Sequence, residues 1–371
     1  MRVFFTVVGA AIAFFLTVAM FGTAGWDRPP LVTSQNGYRG TAMAQVETKA
    51  DAAEVKAANV APAPADPAEP GEELAGKTYE NVQVLQNITT NEFNRLMASM
   101  TEWVSPEQGC TYCHNTENMA DDSLYQKKVA RRMLQMTQHI NSTWKDKHVG
   151  GAGVTCYTCH RGQPVPANIW FTDPGPNATS GFVPRNNGQN MASPSVGLAS
   201  LPYDTLTEYF STKNIDETAI RVNATTALPT SKGKPIQEAE KTFGLMIHMS
   251  QGLGVNCTFC HNTRAVSDWS QSTPQRTTAW HGIRMVRDIN GDYMEPLTST
   301  FPANRLGALG DVPKVNCTTC HNGVSKPLNG ANVIDAYPEL AAPVVAAAAT
   351  TEPAPPAPAP AAPTPEQKPP Q

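Results

Sequence analysis

No cysteine of this 371-residue chain lies outside four short motifs, so none is spare for a structural disulfide. Charge is scarce: 16% of residues are Asp, Glu, Lys or Arg, and the net charge is −4. With that balance nucleic acid is not an expected partner. Alternating apolar and polar runs are sparse, which points away from a sheet-based fold. Charge is absent altogether from Val3 to Trp26, and no cysteine stands near the N-terminus to carry a lipid.

All eight cysteines sit in "GCTYCHN" (Gly109–Asn115), "VTCYTCHRG" (Val154–Gly162), "NCTFCHN" (Asn256–Asn262) and "VNCTTCHNG" (Val315–Gly323). Three chemistries use such pairs. A thioredoxin-like redox pair occurs once, beside a βαβ pattern, and needs no histidine. A structural zinc site joins two pairs, with histidines at a spacing of their own. Covalent c-type haem attachment needs the triplet as it stands: two thiols add to the two vinyl groups of one porphyrin, and the adjacent histidine ligates the iron. Four repetitions with no cysteine unaccounted for select haem. The expected attachment sites are Cys110/Cys113, Cys156/Cys159, Cys257/Cys260 and Cys317/Cys320, with His114, His160, His261 and His321 as proximal ligands to four haem c groups.

Haem c is attached outside the bacterial cytoplasmic membrane, so the motifs imply export to the periplasmic side. The apolar run Val3–Ala24 would span about 33 Å as a helix, enough for a bilayer core. A secretory signal has a shorter apolar region. Small residues after Gly22 and at Ala42–Ala44 offer cleavage sites. The length of the run favours a retained transmembrane anchor over 1–26, and Arg2 on the short side fits an inside N-terminus.

Residues 27–76 form an extended segment and an acidic Ala/Pro stretch, including "APAPADPAEPGEEL", expected to be a solvated linker. Residues 331–371 end in an Ala/Pro-rich run expected to be a disordered tail. The part between them repeats internally. "LMASM" precedes the first motif as "LMIHM" precedes the third, and "RRMLQMTQHIN" precedes the second as "IRMVRDIN" precedes the fourth. This predicts a mainly α multihaem cytochrome c of two pseudo-twofold-related halves, 77–171 and 235–330, each holding a haem pair. A connecting loop region over 172–234 joins them, with a short helix at "YDTLTEYF". Helices are predicted upstream of every motif. "NEFNRLMASMTEW" carries Asn91 as its candidate N-cap, and "STPQRTTAWHGIRMVRDING" carries Pro274 near its start.

An iron that only transfers electrons needs a sixth ligand, and Met raises its potential relative to His. Outside the motifs the histidines are His139, His148, His248 and His281. The helices carry Met97, Met100, Met133, Met136, Met246, Met249, Met285 and Met294. Met97 and Met246 match in "LM" pairs, and Met133 and Met285 match in "RRM" and "IRM". Met285 lies 32 residues before Cys317, against 23 from Met133 to Cys156, which leaves the fourth haem open between Met285 and a histidine.

At these residues the chain resembles the tetrahaem cytochrome subunit of the purple-bacterial photosynthetic reaction centre. "MTEWVSPEQGCTYCH", "RRMLQMTQHINSTW", "HVGGAGVTCYTCHRG" and "RTTAWHGIRMVRDIN" carry the likeness, which runs from Arg28 to Gly330. The resemblance implies Met97, Met133 and Met246 as sixth ligands of three haems and His148 as that of the fourth. It leaves His139, His248 and His281 to packing or surface roles. It also implies a row of haems in which the third lies nearest the bacteriochlorophyll special pair, followed by the fourth, second and first. The partners it implies are the reaction-centre L and M subunits, and a soluble cytochrome c or high-potential iron–sulfur protein as donor. Some members carry an N-terminal lipidated cysteine, which this chain lacks.

The expected function is electron delivery to the photo-oxidised special pair, a carrier rather than an enzyme. A membrane-anchored quinol-oxidising tetrahaem cytochrome is the alternative, but its haems are mostly bis-His and the spare histidines are too few. A multihaem reductase would need an open iron, and every haem here has a candidate sixth ligand.

Overall fold

In a computed structural model of the chain, residues 2–23, 30–38, 40–174, 192–193, 197–198, 201–202, 204–211 and 236–341 are described. Helix α1 (Arg2–Thr23) has 22 residues, about 33 Å at 1.5 Å per residue. From Val3 onward its side chains are exposed, and it is long and apolar enough to cross a membrane.

The chain after the anchor is more ordered than a solvated linker. Strands β1 (Leu31–Gln35) and β2 (Ala44–Thr48) pair antiparallel, with Thr33 opposite Val46. Helix α2 (Lys49–Ala58) follows, capped by Thr48, whose hydroxyl accepts from Asp51 N at 3.0 Å. The acidic Ala/Pro stretch stays largely exposed, as expected of a solvated segment, but main-chain bonds fasten it to the globule at a few points. Asn59 is fully buried and donates to Asn322 O at 3.1 Å. Ala65 N donates to the Tyr337 hydroxyl at 3.1 Å, and Arg95 Nη2 donates to Ala65 O at 2.8 Å. Proline and alanine offer few side-chain contacts, but their carbonyls accept, and the alanine N–H groups donate, as well as any others.

A single turn, α3 (Ala75–Thr78), leads to α4 (Thr90–Val104). Thr89, not Asn91, caps α4. Its hydroxyl accepts from Glu92 N at 3.2 Å, and the Glu92 carboxylate accepts from Thr89 N at 2.8 Å. This is a capping box, legible as Thr-x-x-Glu. Helix α5 (Tyr125–Thr143) ends in a π-helical turn, Lys145–Val149, which carries His148. Helix α6 (Cys156–His160) is the second motif. Two residues each of β3 (Ala192–Ser193) and β4 (Gly197–Leu198) pair antiparallel, and the expected short helix is α7 (Leu206–Phe210). Much of the expected connecting loop lies outside the described residues. Helix α8 (Ile236–Leu253) precedes the third motif, and α9 (Pro274–Asp288) has Pro274 in its first turn. A second π-helical turn, Ile289–Met294, continues α9, and α10 (Cys317–His321) is the fourth motif.

Two apolar clusters hold these helices. The larger gathers Trp144, Trp170, Phe210, Leu245, Ile283 and Ile289. The smaller gathers Leu96, Trp103, Leu134, Tyr337 and Leu340. Residues 331–341 therefore belong to the folded part, which corrects the expected start of the tail. Leu340 is fully buried, worth about 1.5–3 kcal/mol, and the Tyr337 ring meets that of Trp103 at 4.7 Å. Residues 342–371, the rest of the expected tail, lie outside the described residues.

Helix α4 packs on α6, and α8 packs on α10. Each pair shares one main-chain bond at the same place in the repeat: Gly162 N to Trp103 O at 2.8 Å, and Gly323 N to Gly252 O at 2.9 Å. The second pair is tight. Gly254 has φ +61°, and a Cβ there would stand 2.0 Å from Gly323 O, so only glycine fits.

Helices α5 and α9 are joined by residues at equivalent points of "QHIN" and "RDIN". The Asp288 carboxylate accepts from His139 Nε2 at 2.5 Å and from Trp144 Nε1 at 2.8 Å. Burial pushes the Asp288 carboxyl up, but the bonds from His139 and Trp144 outweigh it and hold it below its ordinary value. A lowered folded value means stabilisation present above the ordinary carboxylate range and lost as pH falls through it. Asp288→Asn should therefore cost about 1.5–3 kcal/mol near neutral pH, with a deficit that shrinks in acid. Thermal melts at neutral and acid pH check this; an equal deficit at both would mean that the charge contributes nothing.

Candidate functional site

The four motifs fold in two ways. The first and third begin in 3₁₀ turns, Gly109–Tyr112 and Cys257–Phe259. The second and fourth are single α-turns with matched caps. Thr155 N donates to Thr158 Oγ1 at 3.1 Å, and Asn316 N donates to Thr319 Oγ1 at 3.0 Å. Both turns stop at a left-handed residue, Arg161 at φ 52° and Asn322 at φ 48°.

Each motif imidazole is held by one main-chain carbonyl. His114 Nδ1 lies 3.1 Å from Met119 O, and His261 Nδ1 lies 3.0 Å from Val266 O, each five residues on. His160 Nδ1 lies 2.9 Å from Gln163 O, and His321 Nδ1 lies 2.9 Å from Val324 O, each three residues on. A carbonyl can only accept, so each Nδ1 carries the proton and each Nε2 keeps a bare lone pair. That is the tautomer a metal-ligating histidine uses. Burial lowers His160, His261 and His321, the last to about 4, and so keeps them in the neutral form that ligates.

Five of the eight thiols are raised by their surroundings, whereas the hydrogen bond from Cys159 lowers Cys320. Burial pushes Cys113 and Cys260 up to about 11, and Cys156 and Cys317 up to about 12. Reactive Cys-x-x-Cys pairs are lowered instead. The Sγ atoms of Cys159 and Cys320 stand 2.8 Å apart, so the second and fourth motifs back onto each other.

Two buried asparagines, absent from the expected site residues, set the backbone into the α-turn motifs. Asn141 Oδ1 accepts from Val154 N at 2.8 Å, and its Nδ2 donates to Val154 O at 2.9 Å. Asn290 does the same to Val315, at 2.8 and 3.0 Å. Each clamps the residue two before the first motif cysteine. The sequence signal was the shared "IN" that ends "QHIN" and "RDIN".

The first, second and fourth motifs open onto one cavity of about 1560 Å³. A small-molecule site typically takes ~300–1,000 Å³, so this one has room for more than one large group. Met97, Met133 and His148 line its wall. Of the third motif, Phe259 reaches this wall; Cys257, Cys260, His261 and Met246 stand apart from it. Met246 packs against the larger core cluster, as Met133 and Met249 also do.

The spare histidines differ in the same terms. His148 Nδ1 lies 2.9 Å from Thr278 O, which leaves its Nε2 bare, and its ring centre stands 6.0 Å from that of His321. The His148 ring occupies the notch left by Gly282, where a Cβ would meet it at 2.6 Å. Both nitrogens of His139 are engaged, by Asp288 and by Thr143 Oγ1 at 3.2 Å. His248 is buried, with its ring centre 6.0 Å from that of Phe210. His281 has its ring beside Trp280.

Comparison with known proteins agrees with this chemistry. The family model described as "Photosynthetic reaction centre cytochrome C subunit" matches residues 27–341. The photosynthetic reaction center cytochrome c subunit of Rubrivivax gelatinosus is 51% identical over 329 residues, 88% of each chain. That of Thermochromatium tepidum is 47% identical over 325 residues, 88% of this chain and 79% of the relative. Cytochrome c-554 of Chloroflexus aurantiacus is a more distant relative, 26% identical over 301 residues. Paired thiols beside carbonyl-held imidazoles, along nearly the whole length of such relatives, mean that this chain belongs to the family of photosynthetic reaction-centre cytochrome c subunits, electron carriers that bind haem c covalently.

Proposed function

We propose that the chain holds four haem c groups and relays electrons from a soluble periplasmic carrier to the photo-oxidised bacteriochlorophyll pair. The observation that carries this reading is the common setting of the four motif imidazoles, each fixed by a carbonyl with Nε2 free. Bound haem supplies a one-electron couple whose potential depends on its axial ligands and surroundings. The cysteine pairs Cys110/Cys113, Cys156/Cys159, Cys257/Cys260 and Cys317/Cys320 would anchor the groups. His114, His160, His261 and His321 would hold the irons on one side.

Met97, Met133 and Met246 are the proposed opposite ligands of three irons, and His148 of the fourth. His148 is favoured by its ring separation from His321. Two imidazoles bonded through nitrogen to opposite faces of one metal, at bond lengths of ~2 Å, have ring centres about 6 Å apart. A quinol-oxidising cytochrome with four bis-His haems is disfavoured, because His139 has no nitrogen to offer.

The packing of α4 on α6 and of α8 on α10 supports two halves, each with a haem pair. The contact of Cys159 with Cys320 supports adjacent second and fourth haems at their junction. With α1 as its span, the globular part would stand on the periplasmic face over the L and M subunits. A small cytochrome c or a high-potential iron–sulfur protein would bring electrons to the far end. No bond is made or broken, so the role is that of a carrier and not an enzyme.

Mass spectrometry of the denatured chain should find four haem additions; three or fewer would leave one motif unused. His148→Met should raise one of the four potentials and leave the others nearly unchanged. Gly282→Ala should disturb that same haem, since the new Cβ displaces the His148 ring. A redox titration in which the two variants move different haems, or none, would remove His148 from the ligand set. Finally, flash re-reduction of the special pair should slow when the haem-binding cysteines are replaced; an unchanged rate would refute the relay.

A further inference from the structure

The carbonyl that fixes His114 has a second donor. Lys127 Nζ lies 2.9 Å from Met119 O, the same oxygen that accepts from His114 Nδ1 at 3.1 Å. The ammonium also donates to Asp121 O at 2.9 Å and stands 3.2 Å from Asp122 Oδ1. Lys127 is 8% exposed, unusual for a lysine, and belongs to the cavity wall beside His114. Among the described residues, no second side-chain donor reaches the carbonyls that receive His160, His261 and His321.

The arrangement arises from the loop between the first motif and α5. Asn115 and Asp121 turn it: Glu117 N donates to Asn115 Oδ1 at 3.1 Å, and Ser123 N donates to Asp121 Oδ1 at 3.1 Å. Those turns bring Met119 O and Asp121 O onto Lys127, which lies in the first turn of α5. Asp122 is shared, since its other oxygen accepts from Arg131 Nη1 at 2.7 Å. The bond from Arg131 holds the Asp122 carboxyl well below its ordinary range, so it is charged.

We infer that Lys127 raises the potential of the haem bound at Cys110 and Cys113, acting through the shared carbonyl on His114. This rests on the proposed role of His114 as that haem's ligand. A carbonyl that receives an imidazole N–H draws the ring towards imidazolate and favours ferric iron. Two donors on one oxygen compete, so the ammonium weakens that pull. Its charge also stands within about 6 Å of the imidazole N–H in a partly buried setting, where it opposes the extra positive charge of the oxidised iron. Both effects favour ferrous iron. Lys127 is a positioning and tuning residue and does not touch the iron.

Redox titration of the holoprotein, with electron paramagnetic resonance of each low-spin haem, tests this. Lys127→Met keeps the side chain's length and removes its charge. At a fixed ambient potential the oxidised-to-reduced ratio of one haem should rise about fivefold, and the other three should hold. Lys127→Arg should restore most of the shift. Asp122→Asn, which leaves the ammonium less compensated, should move the same haem the opposite way. Opposite signs from two neighbouring substitutions are not what a loosened loop would produce. If Lys127→Met moves no potential, or both variants move it in one direction with changed resonance g-values, the tuning role is overturned. Mass mapping of the Cys110–His114 peptide separates the two failures. A peptide without haem refutes the ligand reading, whereas a peptide with haem and an unmoved potential refutes only the role of Lys127.

Discussion

The hydrogen bond from each motif imidazole to a main-chain carbonyl is the interaction on which the rest of the site depends. It decides which nitrogen carries the proton, and so which one faces a metal. It also ties the direction of each ring to the fold of the next three to five residues. Everything packed around the motifs serves to hold those short loops. The left-handed stops at Arg161 and Asn322, the matched caps of α6 and α10 and the glycine-tight contact of α8 with α10 all act on them. His148, on a π-helical turn, reaches the same protonation pattern through a carbonyl distant in sequence. A π turn adds a residue to the helical ladder and re-aims the side chains beyond it, which suits a ring directed back at His321.

Buried polar groups join the elements at repeated positions. Asn141 and Asn290 each satisfy an N–H and a C=O of the residue two before a motif cysteine. His139 and Asp288 occupy matching places in the repeat, yet one is basic and the other acidic, and they bind each other. Where two related elements meet face to face, identical residues would repel or leave a donor unpaired. Divergence at this one position turns the meeting into a hydrogen bond between a donor and an acceptor.

The segment after the anchor ties distant parts together. The β1–β2 ribbon is fastened to the third motif, with Met43 N donating to Thr258 Oγ1 at 3.0 Å and Asn256 Nδ2 donating to Met43 O at 3.0 Å. Farther on, Arg161 of the second motif donates to Asn59 Oδ1 at 2.9 Å and to Cys320 O at 3.2 Å, linking the strap to both junction motifs.

Much of this was legible from local signals. The motifs, the apolar span, the upstream helices and the internal repeat are patterns of spacing, and spacing is what sequence records directly. The Thr-x-x-Glu box before α4 was also present to be read. The order in residues 59–74 and 331–341 was not, because Ala- and Pro-rich composition argues for disorder, whereas main-chain bonds to Arg95 and Tyr337 and the burial of Leu340 depend on what lies opposite. The sequence by itself determined the covalent chemistry, since paired thiols with an adjacent imidazole admit few other uses. Only the tertiary structure decided that His148 turns a bare nitrogen beside His321, that Lys127 and His114 share one oxygen, and that the second and fourth motifs touch. Those are facts about atoms far apart along the chain, and no local pattern specifies the distance between them.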